Sequence, residues 1–343
     1  MGQGVVAVSE KLGEAYWSPA YEYAGPLHRK MLTVSQHIEN VHKIIQETLT
    51  LDKGFAFPRF GDLLGMVLAE RRPSTRRLPW LLLPIFTCEA LRGSVRQAQQ
   101  VAAALEIGRI AAGCLDEWQD RDTDDALWRT LGAARTVNVA TGLISLSFLT
   151  LGRLTDLGVE PSLVLSLHEE FHRTLLEMCA GQDADLSEDL SLDDYEVVAG
   201  AKSGSLFRLG CRAGAMVASA PPEVVGQYGD FGYNLGIVAQ MWNDLQGLAG
   251  VRGKGDAEQQ RALPMLAAQA VEGMQAGPVQ EEGQVGSLYA LVQLQVFHQR
   301  AADALDQCPE AGQLSLFLDA FGTQRLVEEA RQTLRHRDEE DAR

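Results

Sequence analysis

Strand-type alternation is almost wholly missing from this sequence. Apolar residues recur instead at three- and four-residue steps, and chain breakers fall between the periodic segments, so neither an all-β nor an α/β architecture fits. Cysteine is sparse: Cys88, Cys114, Cys179, Cys211 and Cys308 are the only five in 343 residues, odd in number and without metal-ligand spacing. That pattern excludes a disulfide framework and implies a reduced, cytoplasmic protein. Positive charge is short as well, with 30 Lys and Arg against 46 Asp and Glu and a net charge of −16. Nucleic acid and an anionic membrane surface are therefore poor partners. No apolar run reaches the length of a membrane span. The longest, near residues 78–88 and 137–151, read as buried helices, and Pro79 and Pro84 interrupt the first. No basic-then-apolar leader pattern is visible at the start, and glycine and proline are too dispersed for a collagen-like or disordered chain.

Helix signal, by contrast, runs nearly from end to end, and 46% apolar residues can fill a core. Leu27, Met31, Val34, Ile38, Val41, Ile45 and Leu49 lay a stripe along residues 26–50. Further periodic segments fall at 61–68, 78–90, 96–115, 138–151, 162–180, 195–218, 224–248, 257–271, 286–308 and 314–336. Pro161-Ser162, Asp193-Asp194 and Pro221-Pro222 mark helix starts. The pattern predicts one all-α domain over residues 26–336, preceded by an aperiodic arm (1–25) and followed by a charged tail (337–343).

Two acidic clusters carry the chemistry. Asp116-Glu117-Trp118-Gln119-Asp120 closes an apolar helix, and Asn243-Asp244 lies near the end of another. Carboxylates there are costly unless paired, protonated or bound to a cation. Asp116 and Asp120 are four apart, so one helical face presents both. Oxygen ligands without nearby His or Cys favour Mg²⁺, bound through a few carboxylates, water and substrate phosphates. Two such clusters facing each other across a helical bundle would hold a diphosphate between them.

Several segments, in order, resemble the trans-polyprenyl diphosphate synthases. Thr75-Arg76-Arg77-Leu78 is similar to the family's basic segment. Glu106 through Asp116-x-x-x-Asp120 looks like the helix ending in its first Asp-rich motif. Gly181-Gln182-x-x-Asp185-Leu186 and Tyr195 through Lys202-Ser203-Gly204-x-Leu206-Phe207 resemble two further segments. Leu235-Gly236-Ile237, Gln240 and Asn243-Asp244 resemble the second Asp-rich motif, and Gly253-Lys254 with Leu263-Pro264 the loop after it.

The resemblance implies an isoprenoid-synthase-type helical bundle with a deep central cavity, and a homodimer. It implies a Mg²⁺-dependent prenyltransferase that ionises an allylic prenyl diphosphate and passes the prenyl group to an acceptor, by family default isopentenyl diphosphate. Asp116, Glu117 and Asp120 would hold metal on one wall, and Asn243 and Asp244 on the other. Lys202 and Lys254 would contact diphosphate oxygens, with Gln182, Ser203 and Gln240 also at the substrate. Arg76, Arg77 and Arg109 would serve the acceptor. Asp116, Asp120, Lys202 and Asp244 are the expected catalytic residues.

Departures from the pattern are concentrated on the acceptor side. Pro79 replaces the last Arg of the basic segment, and Arg121-Asp-Thr-Asp-Asp replaces a paired Arg-Arg-Gly. Gly247 ends the second motif, so Asp244 is its sole carboxylate. A peptide or small aromatic acceptor, a terpene cyclase of the same fold, and a catalytically degenerate homologue therefore stand as alternatives. Trp118 and Trp242 read as core packing, and His168 with His172 as structural. Gly253-Lys254-Gly255 lacks the spacing of a P-loop. Small residues at Ala111 and Ala112, on the implied path of the tail, predict a chain of at least about three isoprene units, each buried methylene adding about 0.8 kcal/mol.

Overall fold

The computed structural model describes residues 26–51, 58–71, 80–121, 126–187, 190–248, 262–272 and 279–321. The N-terminal arm, the charged tail, Arg76, Arg77 and Lys254 lie outside the described residues.

No strand occurs among the described residues. The helices are α1 (Pro26–Leu51), α2 (Pro58–Glu70), α3 (Leu83–Ala90, entered through a 3-10 turn at Trp80–Leu82), α4 (Val95–Gln119), α5 (Leu127–Leu131), α6 (Ala133–Gly152) and α7 (Pro161–Asp185). Then follow α8 (Tyr195–Ala199), a π-helical turn (Gly200–Gly204), α9 (Ser205–Val217), α10 (Pro222–Leu248), α11 (Leu263–Glu272), α12 (Val279–Asp306) and α13 (Ser315–Ala320). The periodic segments correspond to these helices where they are described. The short α5 had no periodic signal, and the π turn interrupts what reads as one helix over 195–218.

α4 is the axis of the bundle. α6 lies along it, α1 and α3 flank it, and α7 and α9 close the remaining side. Its stretch from Ala98 to Gly108 is buried all round, which explains why its apolar pattern is continuous rather than one-sided. Leu81, Leu82, Leu83, Ile85 and Val101 are fully buried in the same core as Val34, Ile38, Val41 and Ile45 of α1. Each such side chain contributes about 1.5–3 kcal/mol of burial before the cost of ordering it. The polar His37 enters this core with its ring nitrogens 3.1 Å from the Gln99 amide and 3.3 Å from Glu89. A second, smaller core joins Tyr195, Ile237, Met241, Leu266, Leu294 and Phe297 from α8, α10, α11 and α12.

One expectation needs correction. Ala133–Leu157 forms a continuous helical stretch of 25 residues with hydropathy 1.4, long and apolar enough by length and composition to cross a membrane. The sequence pattern placed its start too late, at residue 137. Its inner face, with Val139, Ala140, Leu143, Leu146 and Leu151, is buried in the main core, and α6 packs against α4. Its outer face leaves Leu149 54% exposed.

Candidate active site

Ser94 caps α4 by accepting from the Gln97 amide, and the helix ends at Asp120, its C-cap. The last turn carries the first acidic cluster. Asp116 is 47% exposed in its side chain, whereas Asp120 is buried. Glu117, about 100° round the helix from Asp116, points elsewhere. Both its oxygens are taken by the Arg71 guanidinium, at 2.5 and 2.6 Å. That pair holds the Arg71 pKa above its ordinary value despite partial burial. Glu117, expected to hold metal, is thus engaged in a bidentate ion pair, the strong form of this contact.

α7 and the π turn bring the other half. A Cβ at Gly181 would sit 2.7 Å from the Ala201 Cβ and 3.1 Å from the Lys202 nitrogen, so only glycine lets these backbones approach so closely. The approach delivers Gln182, whose amide donates to Asp120 Oδ1 at 3.2 Å, and Asp185, which accepts from Lys202 Nζ at 2.5 Å. Lys202 Nζ is also 3.6 Å from Asp116. Burial works against the ammonium charge, but Asp116, Asp185 and Asp120 overcome it and hold the Lys202 pKa above its ordinary value. One ammonium among three carboxylates leaves this cluster anionic.

The second cluster is built differently. Asp244 is 5% exposed. Its Oδ2 accepts from the Tyr195 hydroxyl at 2.7 Å and from the Leu263 amide at 3.1 Å. Its Oδ1 accepts from the Gln240 amide at 3.0 Å, and Gln240 in turn accepts from the Ser203 hydroxyl at 2.7 Å. Burial first, then Asp244 and Asp185, hold the Tyr195 phenol well above its ordinary pKa. Asn243 is half-buried beside it.

Arg109, expected at the acceptor, is folded onto its own helix. It binds Glu106 through two contacts, at 2.7 and 2.9 Å, and Glu106, fully buried, also accepts from the Trp80 indole at 2.9 Å. Burial opposes the guanidinium charge and Glu106 outweighs it, so the Arg109 pKa stays raised. Trp242 is buried as expected, whereas Trp118 is 36% exposed because it faces away from the core at the helix end. His168 and His172 stack beside Phe148, which fits a structural role.

Below Asp116 on the same face lies an apolar seam between α4, α7 and α9, lined by Leu105, Gly108, Phe171, Leu175, Met178 and Leu206 among others. Its free volume is about 10 Å³, roughly one water. Among the described residues this seam is not the deep open cavity that the resemblance implied. Of the two small residues on the implied tail path, Ala111 is fully buried and Ala112, four before Asp116, is half-buried; neither lines this seam.

A hard divalent cation fits the first wall on the chemistry of its donors: all are carboxylate or amide oxygens, and Asp116 is accessible. Among the described residues no three His, Cys, Asp or Glu side chains converge as a ready-made cage. An ion there would therefore complete its shell with water and substrate oxygens.

The bundle has the fold of the isoprenoid synthases. The computed structure matches a decaprenyl diphosphate synthase from Rhodobacter capsulatus with a TM-score of 0.71 at 18% identity, over 88% of this chain and 99% of that one. The polyprenyl synthetase family profile matches residues 82–271, more than half of the chain, and the protein belongs to that family. It is 28% identical over 194 residues to a geranylgeranyl diphosphate synthase of Mycobacterium tuberculosis (52% of this chain, 54% of that protein). It is 32% identical over 150 residues to the tryptophan prenyltransferase ComQ of Bacillus subtilis subsp. natto (43% and 44%). The chain thus spans about half the length of the curated relatives it matches.

Sequence reasoning left four residues out of the site. Asp185 lay inside a quoted motif, and Glu106 stands three before Arg109 on an apolar helix, so both had a signal. Tyr195 too opened a motif segment, but its reach to Asp244, 49 positions away, and that of Arg71 to Glu117, 46 away, are encoded by no local pattern.

Proposed function

We propose that this protein is a Mg²⁺-dependent prenyltransferase acting on an allylic prenyl diphosphate. The observation that supports it best is the meeting of Asp116, Asp120, Gln182 and Lys202, from three parts of the chain, at the top of an apolar seam. An anionic diphosphate could enter an anionic cluster only with added cations. Mg²⁺, when bound, supplies the charge that neutralises the departing diphosphate. Asp116 and Asp120 would hold it. Lys202 would donate to a diphosphate oxygen, and its raised pKa keeps it charged throughout. Lys254 would join it. Leu105, Phe171, Leu175 and Met178 would wrap the tail and exclude water from the allylic cation.

Isopentenyl diphosphate is the default acceptor of the family. A second reading, an acceptor without a diphosphate such as an indole, is favoured by the state of the arginines. Arg71 is bound to Glu117 and Arg109 to Glu106, which leaves Arg76 and Arg77 to bind a second diphosphate. The ComQ relative agrees in kind with this reading.

We further propose a homodimer. The exposed sides of α6 and α7 carry Leu149, Leu165 and Leu176, between 54% and 72% exposed, an apolar face suited to a second copy. Five free cysteines accord with a cytoplasmic location.

The deciding experiment incubates the protein with Mg²⁺ and allylic diphosphates of several lengths, with and without isopentenyl diphosphate or an indole acceptor. Elongated or prenylated products support the proposal. A cyclic product would assign a terpene cyclase. No turnover together with no Mg²⁺-dependent diphosphate binding would overturn it and leave a degenerate homologue.

A further inference from the structure

Lys202 reaches Asp185 and Asp116 from a turn that is not α-helical. Across Gly200–Gly204 the Ser205 amide bonds the Gly200 carbonyl, five residues back, where an α-helix would give it the Ala201 carbonyl, four back. The Ser205 hydroxyl takes the place of that contact and donates to the Ala201 oxygen at 2.5 Å. Ser205 is fully buried, and the space of one hydroxyl is too small to admit a water in its stead.

The same turn is wedged from α10. A Cβ at Gly200 would lie 2.7 Å from Cζ of the Tyr233 ring, and one at Gly204 would lie 3.0 Å from two further ring carbons. Tyr233 thus fills the notch left by the two glycines that bound the turn, one on each side of Lys202. Its ring is held in turn by Arg208, whose guanidinium lies 5.2 Å from the ring centroid and pairs with Glu177 of α7. Gly236 of α10 packs on the Ser203 carbonyl, and Gly181 of α7 on Ala201 and Lys202.

Register is what these contacts protect. An α-helical turn in place of the π turn would change the phase of the chain ahead of α9 by up to about 100° round the helix axis. Lys202 Nζ is 2.5 Å from Asp185 and 3.6 Å from Asp116, and such a rotation would carry it away from both.

We propose that Ser205 and Tyr233 are positioning residues for Lys202: the Ser205 hydroxyl and the Tyr233 ring hold the turn in π register, and the register aims the ammonium at the diphosphate. The aim at a diphosphate rests on the proposed prenyltransferase reading; the hold on the turn does not.

The test has two arms on the full chain, with S205A, Y233A and Y233F, and with V217A, a buried position at the far end of α9, as control. In the first arm, hydrogen exchange of the amides at 200–205 is followed by mass spectrometry in EDTA. S205A and Y233A should exchange there at least about tenfold faster than wild type, while V217A and Y233F, which keeps the ring, stay within about threefold. In the second arm, calorimetry measures Mg²⁺-dependent binding of inorganic pyrophosphate. S205A and Y233A should each lose about tenfold or more in affinity. Neither should add a further loss in a K202M background, because both act through the ammonium. The proposal is overturned if folded S205A exchanges and binds like wild type, if the turn loosens without loss of affinity, if the losses add to that of K202M, or if V217A loses as much as S205A. Should Y233A not fold, Y233L removes the ring while keeping bulk and is judged by the same criteria. Wild type that binds no pyrophosphate would sink the prenyltransferase reading instead, and exchange at the turn would still decide the hold on it.

Discussion

Phe171 crosses the apolar seam at the level of Gly108, where a prenyl tail descending from Asp116 would meet its ring. Its ring lies on Gly108: a Cβ built there would be 2.8 Å from the ring tip. Gly108 is eight residues before Asp116, so at 1.5 Å per residue the crossing is about 12 Å below the carboxylates. At about 5 Å per extended isoprene unit, that depth takes roughly two to three units. Replacing Phe171 with Ala should remove the obstruction. Burying one further five-carbon unit is worth at most about 4 kcal/mol at ~0.8 kcal/mol per methylene, an upper bound because the new walls will be imperfect. A tenfold or greater rise in kcat/KM for the next longer allylic diphosphate, relative to the wild-type optimum, is the expected result. Phe171 is 3% exposed and packs edge-on against Phe148, so the same change should cost about 3–5 kcal/mol of stability. Phe171→Leu gives a milder form of the same experiment. The assay is a panel of allylic diphosphates of increasing length, run on variants shown by circular dichroism to be folded. Active, folded Phe171→Ala with an unchanged length profile would refute the obstruction.

Three further outcomes are expected. Asp116→Ala should abolish Mg²⁺-dependent turnover, measured as pyrophosphate release, while the Tm of the metal-free protein stays nearly constant, since the side chain is 47% exposed and its contact with Lys202 is a long 3.6 Å; retained activity would remove it from the site. Arg71→Ala should destabilise by about 1–3 kcal/mol in urea titration, because Glu117 is left without its partner in a place only 24% exposed; a loss below about 0.5 kcal/mol would show the pair to be solvated. With a thiol reagent at pH 8, the native protein should react at Cys179 alone. The other four cysteines are buried, and burial pushes the Cys88 thiol up to about 11 and the Cys308 thiol up to about 12; peptide mapping after labelling decides it.

How far the sequence carried the description follows from which forces are local. Helix periodicity reports burial of one face, and it located α1, α7, α10 and α12 because each turns an apolar face to a core, while α4 showed as a long apolar run because it is buried all round. It could not announce α5, five residues long, or the π turn, whose extra residue shows only in the backbone. Asp116, Asp120, Gln182 and Lys202 were legible as motif residues, and they meet in space. Which carboxylates remain available was not legible. Asp116 and Glu117 are adjacent and chemically alike, yet one faces the seam and the other is bound by an arginine from α2's end. Arg109 reads as a spare cation until the buried charge of Glu106 is seen to need it.

Those ion pairs bear directly on the choice of acceptor. Arg71 and Arg109 stand near the first acidic cluster, and in either case a diphosphate would have to outcompete a bidentate carboxylate already in place. For Arg109 the competition is lopsided: Glu106 is fully buried, and freeing its arginine would leave a carboxylate with only the Trp80 indole as donor. Breaking a buried pair in this way costs about 3–5 kcal/mol, equivalent to roughly 10²–10⁴ in affinity. A second diphosphate therefore has to draw its binding energy from elsewhere, from Arg76 and Arg77 or from shared metal. An uncharged aromatic acceptor avoids that cost altogether. The physics of the pairs thus favours running the indole arm of the acceptor panel beside isopentenyl diphosphate from the outset.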